Sequence, residues 1–296
     1  MTPKRLTEFK SKLIICNPVA GGGNSKRAYD RFMSHHHLRS DSFKTYFTKG
    51  PNDRPTIKAA VDSFQPDLLI IIGGDGTIHQ VLNSIRSVDI PVMLLPAGSG
   101  NDLHFLCSDR DLSQTIEAKD YTRVESDIWD CNGHLFHNGV GIGFDGSIAG
   151  WTQGAELTWL NPQWKYWIAI LRNLLFYKSK RCEVKSEQVQ YEGSSFMISI
   201  ANGTRYGGGF EVAPGAQRDD ELLDVVLIGH VPVWKRFFYI PKVQKGRHLS
   251  SGFVQHFRTN ELDVTYKKKV FAHLDGEVIE AEHFRCEYFG KLSVYV

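Results

Sequence analysis

The sequence predicts an α/β domain built on a parallel sheet, followed by a β-rich, sandwich-like domain. Three observations carry this. Short apolar runs alternate with helical periods from Lys12 to about Pro96. After about Tyr121, short alternating runs are broken by Asn-Gly, Asp-Gly and Phe-Gly turns. A chain of 296 residues also exceeds what one compact core usually holds and is comfortable for two.

The first domain reads in order. KLIIC (12–16), FKTYFT (43–48), LLIII (68–72) and IPVMLL (90–95) have the continuous apolar character of strands buried on both faces. Between them Ile57, Ala60, Val61 and Phe64 recur at i, i+3, i+4, i+7, and Ile78, Val81, Leu82 and Ile85 do the same, so these are helices. Strand and helix in alternation imply right-handed crossovers and a parallel sheet, which binds ligands beyond the carboxyl ends of its strands. At those ends this chain places NPVAGGG, TKG, GGDGT and PAGSGND. The second domain has one clear helical interruption, from about Pro162 to Phe176, and four of the six tryptophans fall between Trp151 and Trp167. The expected boundaries are 1–126 for the first domain, with the last strand, about 288–296, returning to it, and 127–287 for the second.

Composition narrows the function. Apolar residues make up 42% and charged residues 23%, an ordinary globular balance. The net charge of +2 leaves no nucleic-acid footprint. Five cysteines are scattered singly without a CxxC pair, which fits a reducing cytoplasm and argues against zinc or a redox dithiol. No run approaches the roughly 18 apolar residues of a membrane span, so any membrane contact is expected to be peripheral. His35, His36 and His37 read as a solvated helix end, and Lys267, Lys268 and Lys269 as a solvated strand end or turn. Arg236, Lys242, Lys245 and Arg247 form a candidate basic rim for anionic headgroups.

The GGDGT turn raises the functional question. Glycines at a strand-to-helix junction let a backbone approach phosphate, yet there is no GxxxxGK[ST] loop and no GxGxxG opening a dinucleotide unit. Gly73, Gly74 and Gly76 open backbone conformations closed to other residues, and Thr77 is placed to cap the following helix. Asp75, a carboxylate between glycines, is placed for a divalent cation or for the water around nucleotide phosphates. Elsewhere, PAGSGND reads as a loop capping a helix through Asn101 and Asp102. LDGE is either a hairpin turn or a presented carboxylate pair, or both.

NPVAGGG (17–23), Thr48, GGDGTIHQVLN (73–83), PAGSGND (96–102), GIGFDG (141–146), NGTRYGGGFEVAPGAQRDDELLDVVLI (202–228) and LDGE (274–277) form a set of seven motifs along the chain. In this order and spacing they resemble the diacylglycerol kinase catalytic-domain family, particularly its small bacterial lipid kinases, related in fold to NAD kinases. The resemblance covers nearly the whole chain. It implies that the first domain binds ATP through Asn17, Pro18, Val19, Ala20, Gly21, Thr48, Gly73, Gly74, Asp75, Gly76, Thr77, Ile78, His79, Gly98 and Ser99. It further implies that Asp102 helps assemble the site, and that Asp275 or Glu277 takes the proton from a lipid hydroxyl attacking the γ-phosphate, with Mg²⁺ as cofactor.

A structural Mg²⁺ is implied on Asp220 and the carbonyls of Gln217 and Leu222. The implied acceptor is a lipid, most simply diacylglycerol, reached by a cytoplasmic, peripherally membrane-associated protein, and a homodimer is compatible with this. Three departures stand out: Gln80 replaces the family's usual Glu, Phe105 stands where a basic residue is usual after the Asn-Asp pair, and Glu221 stands where a glycine is usual. The alternatives are an NAD kinase, or a catalytically inactive lipid- or nucleotide-binding regulator.

Overall fold

The computed structural model describes residues 3–37, 42–154, 162–207 and 209–296. It separates into two compact units, Met1–Ile128 with Phe289–Val296, and Trp129–Tyr288.

The first unit opens with β1 (Lys12–Cys16), α1 (Ala20–His36), β2 (Phe43–Phe47), α2 (Arg54–Phe64), β3 (Leu68–Gly73), α3 (Asp75–Ile85) and β4 (Val92–Pro96). Two short helices follow, α4 (Asp102–Cys107) and α5 (Leu112–Glu117). The strand order is β2, β1, β3, β4, all parallel, and Val294 and Tyr295 near the C-terminus add a further parallel strand beside Val92 and Met93. Because β1 lies between β2 and β3, the strand order reverses there, and an open α/β sheet forms its ligand crevice at such a point. Leu68 to Ile72 are buried on both faces, which is why they read as an unbroken apolar run.

The three consecutive glycines of α1, Gly21 to Gly23, all have φ between 58° and 89°, so its regular turns begin only after them. One of the three histidines does not face water: His36 Nε2 lies 2.8 Å from the Ile116 carbonyl oxygen, and Tyr121 Oη is 3.2 Å away. Burial pushes its pKa down.

The second unit takes the chain through β5 (Arg123–Cys131, which begins in the first unit), β6 (His134–Phe136), β7 (Gly139–Gly143), α6 (Phe144–Gly154), α7 (Pro162–Phe176), β8 (Lys180–Lys185) and β9 (Gln190–Ala201). It continues with β10 (Leu223–Gly229), α8 (Val233–Gln244), β11 (Val254–Thr259), β12 (Glu261–Leu274) and β13 (Glu277–Tyr295), whose last residues belong to the first unit. The antiparallel order is β11, β10, β9, β7, β12, β13, while β8 bridges the early part of β9 to the early part of β12. One core, including Trp129, Ile142, Val184, Ile200 and Phe284, fills the sheet layers. A second lies under the three helices, around Phe144, Ile170, Phe196 and Tyr239.

Two of these helices depart from the sequence reading, which expected only α7. α6 starts in the glycine-rich GIGFDG, and α8 carries Pro241 in its interior, so neither shows an uninterrupted helical pattern. Lys267 to Lys269 are solvent-exposed but lie within β12, where the pairing with β13 shifts register, rather than at a strand end.

Candidate active site

The four loops at the carboxyl ends of the first unit's strands are braced against one another by the motif residues. Asn17 Nδ2 donates to Thr77 Oγ1 at 3.3 Å, and the Asn17 N–H donates to the Ile72 carbonyl at 3.0 Å, joining NPVAGGG to GGDGT. The Thr48 N–H donates to the Cys16 carbonyl at 2.9 Å, and Thr48 is buried. An added Cβ on Gly98 would lie 2.3 Å from Gly74 Cα, so the GGDGT and GSGND backbones touch at a distance only glycine permits. Gly21, at φ 58°, passes the Ala97 carbonyl oxygen so closely that an added Cβ would sit 2.1 Å from it.

Asp75 is the center of this brace. Its Oδ2 accepts from the Asn101 N–H and its Oδ1 from the Asp102 N–H, both at 2.7 Å. The carboxylate expected to face a cation or phosphate water thus first fixes the loop that follows β4. Asn101, in the left-handed region at φ 61°, completes the loop: its Oδ1 accepts from the Gly98 N–H at 2.8 Å and its Nδ2 donates to the Gly98 carbonyl at 3.0 Å. Asp75 and Asp102 still converge, because a Cβ on Gly100 would lie 2.6 Å from Asp75 Oδ2 and 3.6 Å from Asp102 Oδ1. Two carboxylates on one side of an exposed Ser99–Gly100 turn suit a hard cation that keeps phosphate and water ligands.

Of the other residues expected to meet ATP, Val19 and Gly76 are exposed, Asn17, Pro18 and Ala20 are half-buried, and Ile78 and His79 turn their side chains into the core. Only the backbones of Ile78 and His79 are therefore available at the α3 end. Gln80 has a role that the sequence did not reveal. Its Nε2 donates to the carbonyls of Gly50 at 2.9 Å and Pro51 at 3.2 Å, holding the loop after β2. A glutamate has no hydrogen to donate there.

In the second unit the NGV, NGT and LDGE motifs meet at one end of the sheet. Asp275 at φ 49° and Gly276 at φ 93° form the two-residue turn that joins β12 to β13, with Leu274 opposite Glu277. The Asp275 side chain is 1% exposed. Its oxygens accept from the N–H groups of His137, Asn138 and Gly139 at 2.8, 3.0 and 2.9 Å. Asn202 extends the network, accepting from Trp129 Nε1 at 3.0 Å and donating to the His137 carbonyl at 2.8 Å. Glu277, two residues on, is exposed. The turn therefore buries one carboxylate of the pair in backbone hydrogen bonds and presents the other.

An apolar cavity opens under the helices of the same unit, lined by residues that include Phe144, Ile170, Phe196, Met197 and Tyr239. Its polar edge holds Asp145, whose Oδ2 lies 3.3 Å from His273 Nε2, and Tyr206, which donates to Ser199 Oγ at 2.7 Å. Burial, reinforced by Asp145, drives the Tyr206 hydroxyl well above the ordinary tyrosine range, so it stays a donor. Asp145 and Tyr206 stand within GIGFDG and NGTRYGGG, but a motif read along the chain does not show that both face one cavity.

Of the ligands expected for a structural Mg²⁺, the one carboxylate has a cationic side-chain partner. Asp220 is paired with the Arg258 guanidinium, and its Oδ1 accepts from the Leu222 N–H at 3.1 Å. Arg258 Nε also lies 3.3 Å from Asp224 Oδ2, and the Asp224 side chain is buried. An arginine thus brings positive charge to both Asp220 and Asp224. Burial pushes the Asp224 carboxyl up, while His256, at 2.6 Å, pulls it back.

Comparison with known proteins decides the family. Residues 11–122 match the model described as the diacylglycerol kinase catalytic domain, and residues 138–290 match the YegS C-terminal NAD kinase beta sandwich-like domain. The chain belongs to the diacylglycerol kinase family of lipid kinases. It is 26% identical to a Bacillus subtilis (strain 168) protein named "Putative lipid kinase YtlR", over 92% of this chain and 94% of that protein, and 25% identical to the diacylglycerol kinase of the same strain, over 91% and 90%. It is 23% identical to the diacylglycerol kinase of Mycobacterium tuberculosis (strain ATCC 25618 / H37Rv), over 98% and 94%. A crystal structure of a diacylglycerol kinase from Bacillus anthracis str. Sterne shares the fold, with a TM-score of 0.69 at 17% identity over 96% of this chain and 97% of that one. Membership of this kinase family implies use of ATP. Among the described residues no helix is long and apolar enough to cross a membrane.

Proposed function

We propose that this lipid kinase transfers the γ-phosphate of ATP to the free hydroxyl of diacylglycerol, with Glu277 as the base. The observation that carries the assignment of the base is the LDGE turn. Three backbone amides occupy Asp275, while Glu277 stands in solvent with its oxygens accessible. A general base must reach the proton it removes, so geometry favors Glu277 as the acceptor and gives Asp275 the task of holding the turn. The apolar cavity supports a lipid acceptor, since its wall offers dispersion and burial to acyl chains. Asp145 and Tyr206 at its polar edge offer hydrogen bonds to a hydroxylated headgroup.

In this reading the first unit holds the nucleotide. Phosphoryl transfer needs little covalent participation from the protein, so positioning and charge neutralization carry it. The glycine backbones and the N-terminus of α3 offer N–H groups to phosphate oxygens, and Asp75 with Asp102 would hold the Mg²⁺ that accompanies ATP. That ion, when bound, offsets charge on the phosphates.

The test is transfer of labeled γ-phosphate from ATP with Mg²⁺ to a panel of diacylglycerol, sphingoid base, phosphatidylglycerol and NAD. Label on diacylglycerol is expected. Label on NAD alone would make this an NAD kinase, and ATP binding without label anywhere would make it a non-catalytic regulator.

A further inference from the structure

α7 and α8 are apolar on two opposite faces. On α7, Tyr166, Ala169, Ile170 and Leu174 turn inward, and on α8 Tyr239, Ile240 and Val243 do the same; most of these line the cavity. The other faces are not polar. Trp164, Trp167, Leu171, Leu175 and Phe176 recur at helical spacing along the outside of α7, with Trp164 67% and Phe176 71% exposed. Trp234, Phe237 and Phe238 do so on α8, at 66%, 42% and 72%. A helix apolar all round is ordinarily buried all round. Here the large exposed hydrophobics of the described residues concentrate on these two helices.

The pair is also held as a unit. Arg236, which the sequence reading placed on a basic rim, is instead buried. It donates through Nη1 to the carbonyls of Leu174 and Tyr177 at the end of α7, both at 2.9 Å, and through Nε to the Val231 carbonyl at 3.0 Å. One guanidinium thus satisfies carbonyls left open at a helix C-terminus and fixes α7 beside α8.

Charge identifies the occupant. The sequence has no Asp or Glu from Pro162 to Cys182, nor from Val225 to Asn260, although acidic and basic residues nearly balance over the whole chain. Exposed Arg172, Lys178, Lys242, Lys245 and Arg247 accompany the aromatic stripes, and Lys235 Nζ lies over the Trp234 ring at 5.1 Å. Aromatic and long aliphatic side chains on segments that carry cations and no carboxylate match the interface of an anionic bilayer, where Trp sits at headgroup level and Lys reaches the phosphates.

We infer that the outer faces of α7 and α8 dock this protein on an anionic lipid surface, with the cavity on the inner faces of the same helices ready to take an acceptor drawn from it. This deepens the lipid-acceptor reading above and rests on it for the role of the cavity, but not for the docking itself.

The experiment is co-sedimentation, without nucleotide, on vesicles of phosphatidylcholine alone or mixed with phosphatidylglycerol. Turnover is measured in parallel on a short-chain acceptor dispersed as monomers. The wild type is expected to bind the phosphatidylglycerol vesicles, and to bind them less at high salt. W234S with F238S is expected to lower partitioning at least about tenfold, and each of K242Q and K245Q about fivefold, all with turnover on the monomeric acceptor retained.

Unchanged binding in the double aromatic variant would overturn the assignment, as would a wild type that binds neither vesicle. A wild-type dimer in analytical ultracentrifugation that W234S and F238S dissociate, with vesicle binding unaltered, would give the face to a second copy and overturn it too. Vesicle binding as expected with no turnover on any acceptor would uphold the docking face and sink the proposed acceptor chemistry instead.

Discussion

The two units hold a motif carboxylate in place with opposite materials. In the first, loops at the ends of buried parallel strands do it with backbone, and the defining carboxylate, Asp75, spends both oxygens on the amides of Asn101 and Asp102. In the second, an antiparallel sheet covered by helices encloses a side-chain-lined cavity, and its carboxylate pair is divided between a buried brace and an exposed member. The difference teaches that an aspartate in a glycine-rich motif need not be the group that does chemistry. Asp75 and Asp275 both shape a loop by accepting backbone N–H groups.

The largest expected effect tests that division directly. E277Q should lower turnover about 100-fold or more, the usual worth of a positioned general base, with melting temperature unchanged. D275N should do the reverse in emphasis. An amide offers one acceptor oxygen where three N–H groups now converge on two, so a loss of about 1–3 kcal/mol of stability is expected, read by thermal or urea unfolding. Loss of turnover at unchanged stability in D275N, with E277Q active, would exchange the two roles.

A smaller effect is expected where the Arg258 guanidinium meets Asp220 and Asp224 in the second unit. Removing the guanidinium in R258A leaves Asp220 and the buried Asp224 without it, at an expected cost of about 1–3 kcal/mol, discounted because Arg258 is itself partly exposed. The wild type should melt at the same temperature in EDTA and in Mg²⁺ when no nucleotide is present, whereas R258A should recover part of its loss in Mg²⁺. Mg²⁺ stabilization of the nucleotide-free wild type would show that the arginine does not stand in for the ion.

These contrasts also mark what the sequence could disclose. β1 was legible residue for residue, and β2, β3 and β4 to within two, because strands buried on both faces leave continuous apolar runs. The hairpin at Asp275–Gly276 was legible because its left-handed backbone demands such residues. α8 was not, since Pro241 and an outer face as apolar as the inner one erase the amphipathic signal. Long-range pairings were not either. Nothing local in the sequence says that Arg258 reaches Asp220, that Arg236 turns inward to α7, or that Asp145 and Tyr206 share one cavity.

Gln80 gives the finest comparison, between a residue's family role and its role in this chain. The family's usual glutamate at this position is a charge, and its replacement by an amide reads as weaker or shifted metal positioning rather than as loss of activity. Here the amide is matched to its surroundings, because both of its contacts are carbonyl oxygens, Gly50 at 2.9 Å and Pro51 at 3.2 Å, which only a donor can satisfy. Restoring the glutamate should therefore not restore anything. In Q80E the carboxylate would face two carbonyls without a hydrogen between them, and the loop after β2, which carries Thr48 at its start, would lose its tether to α3. The expected outcome is a stability loss of about 1 kcal/mol together with weaker ATP binding, seen as a raised KM for ATP at little-changed kcat. A Q80E protein with higher kcat and unchanged stability would show that the amide is a defect of the nucleotide site rather than a strut of its loop.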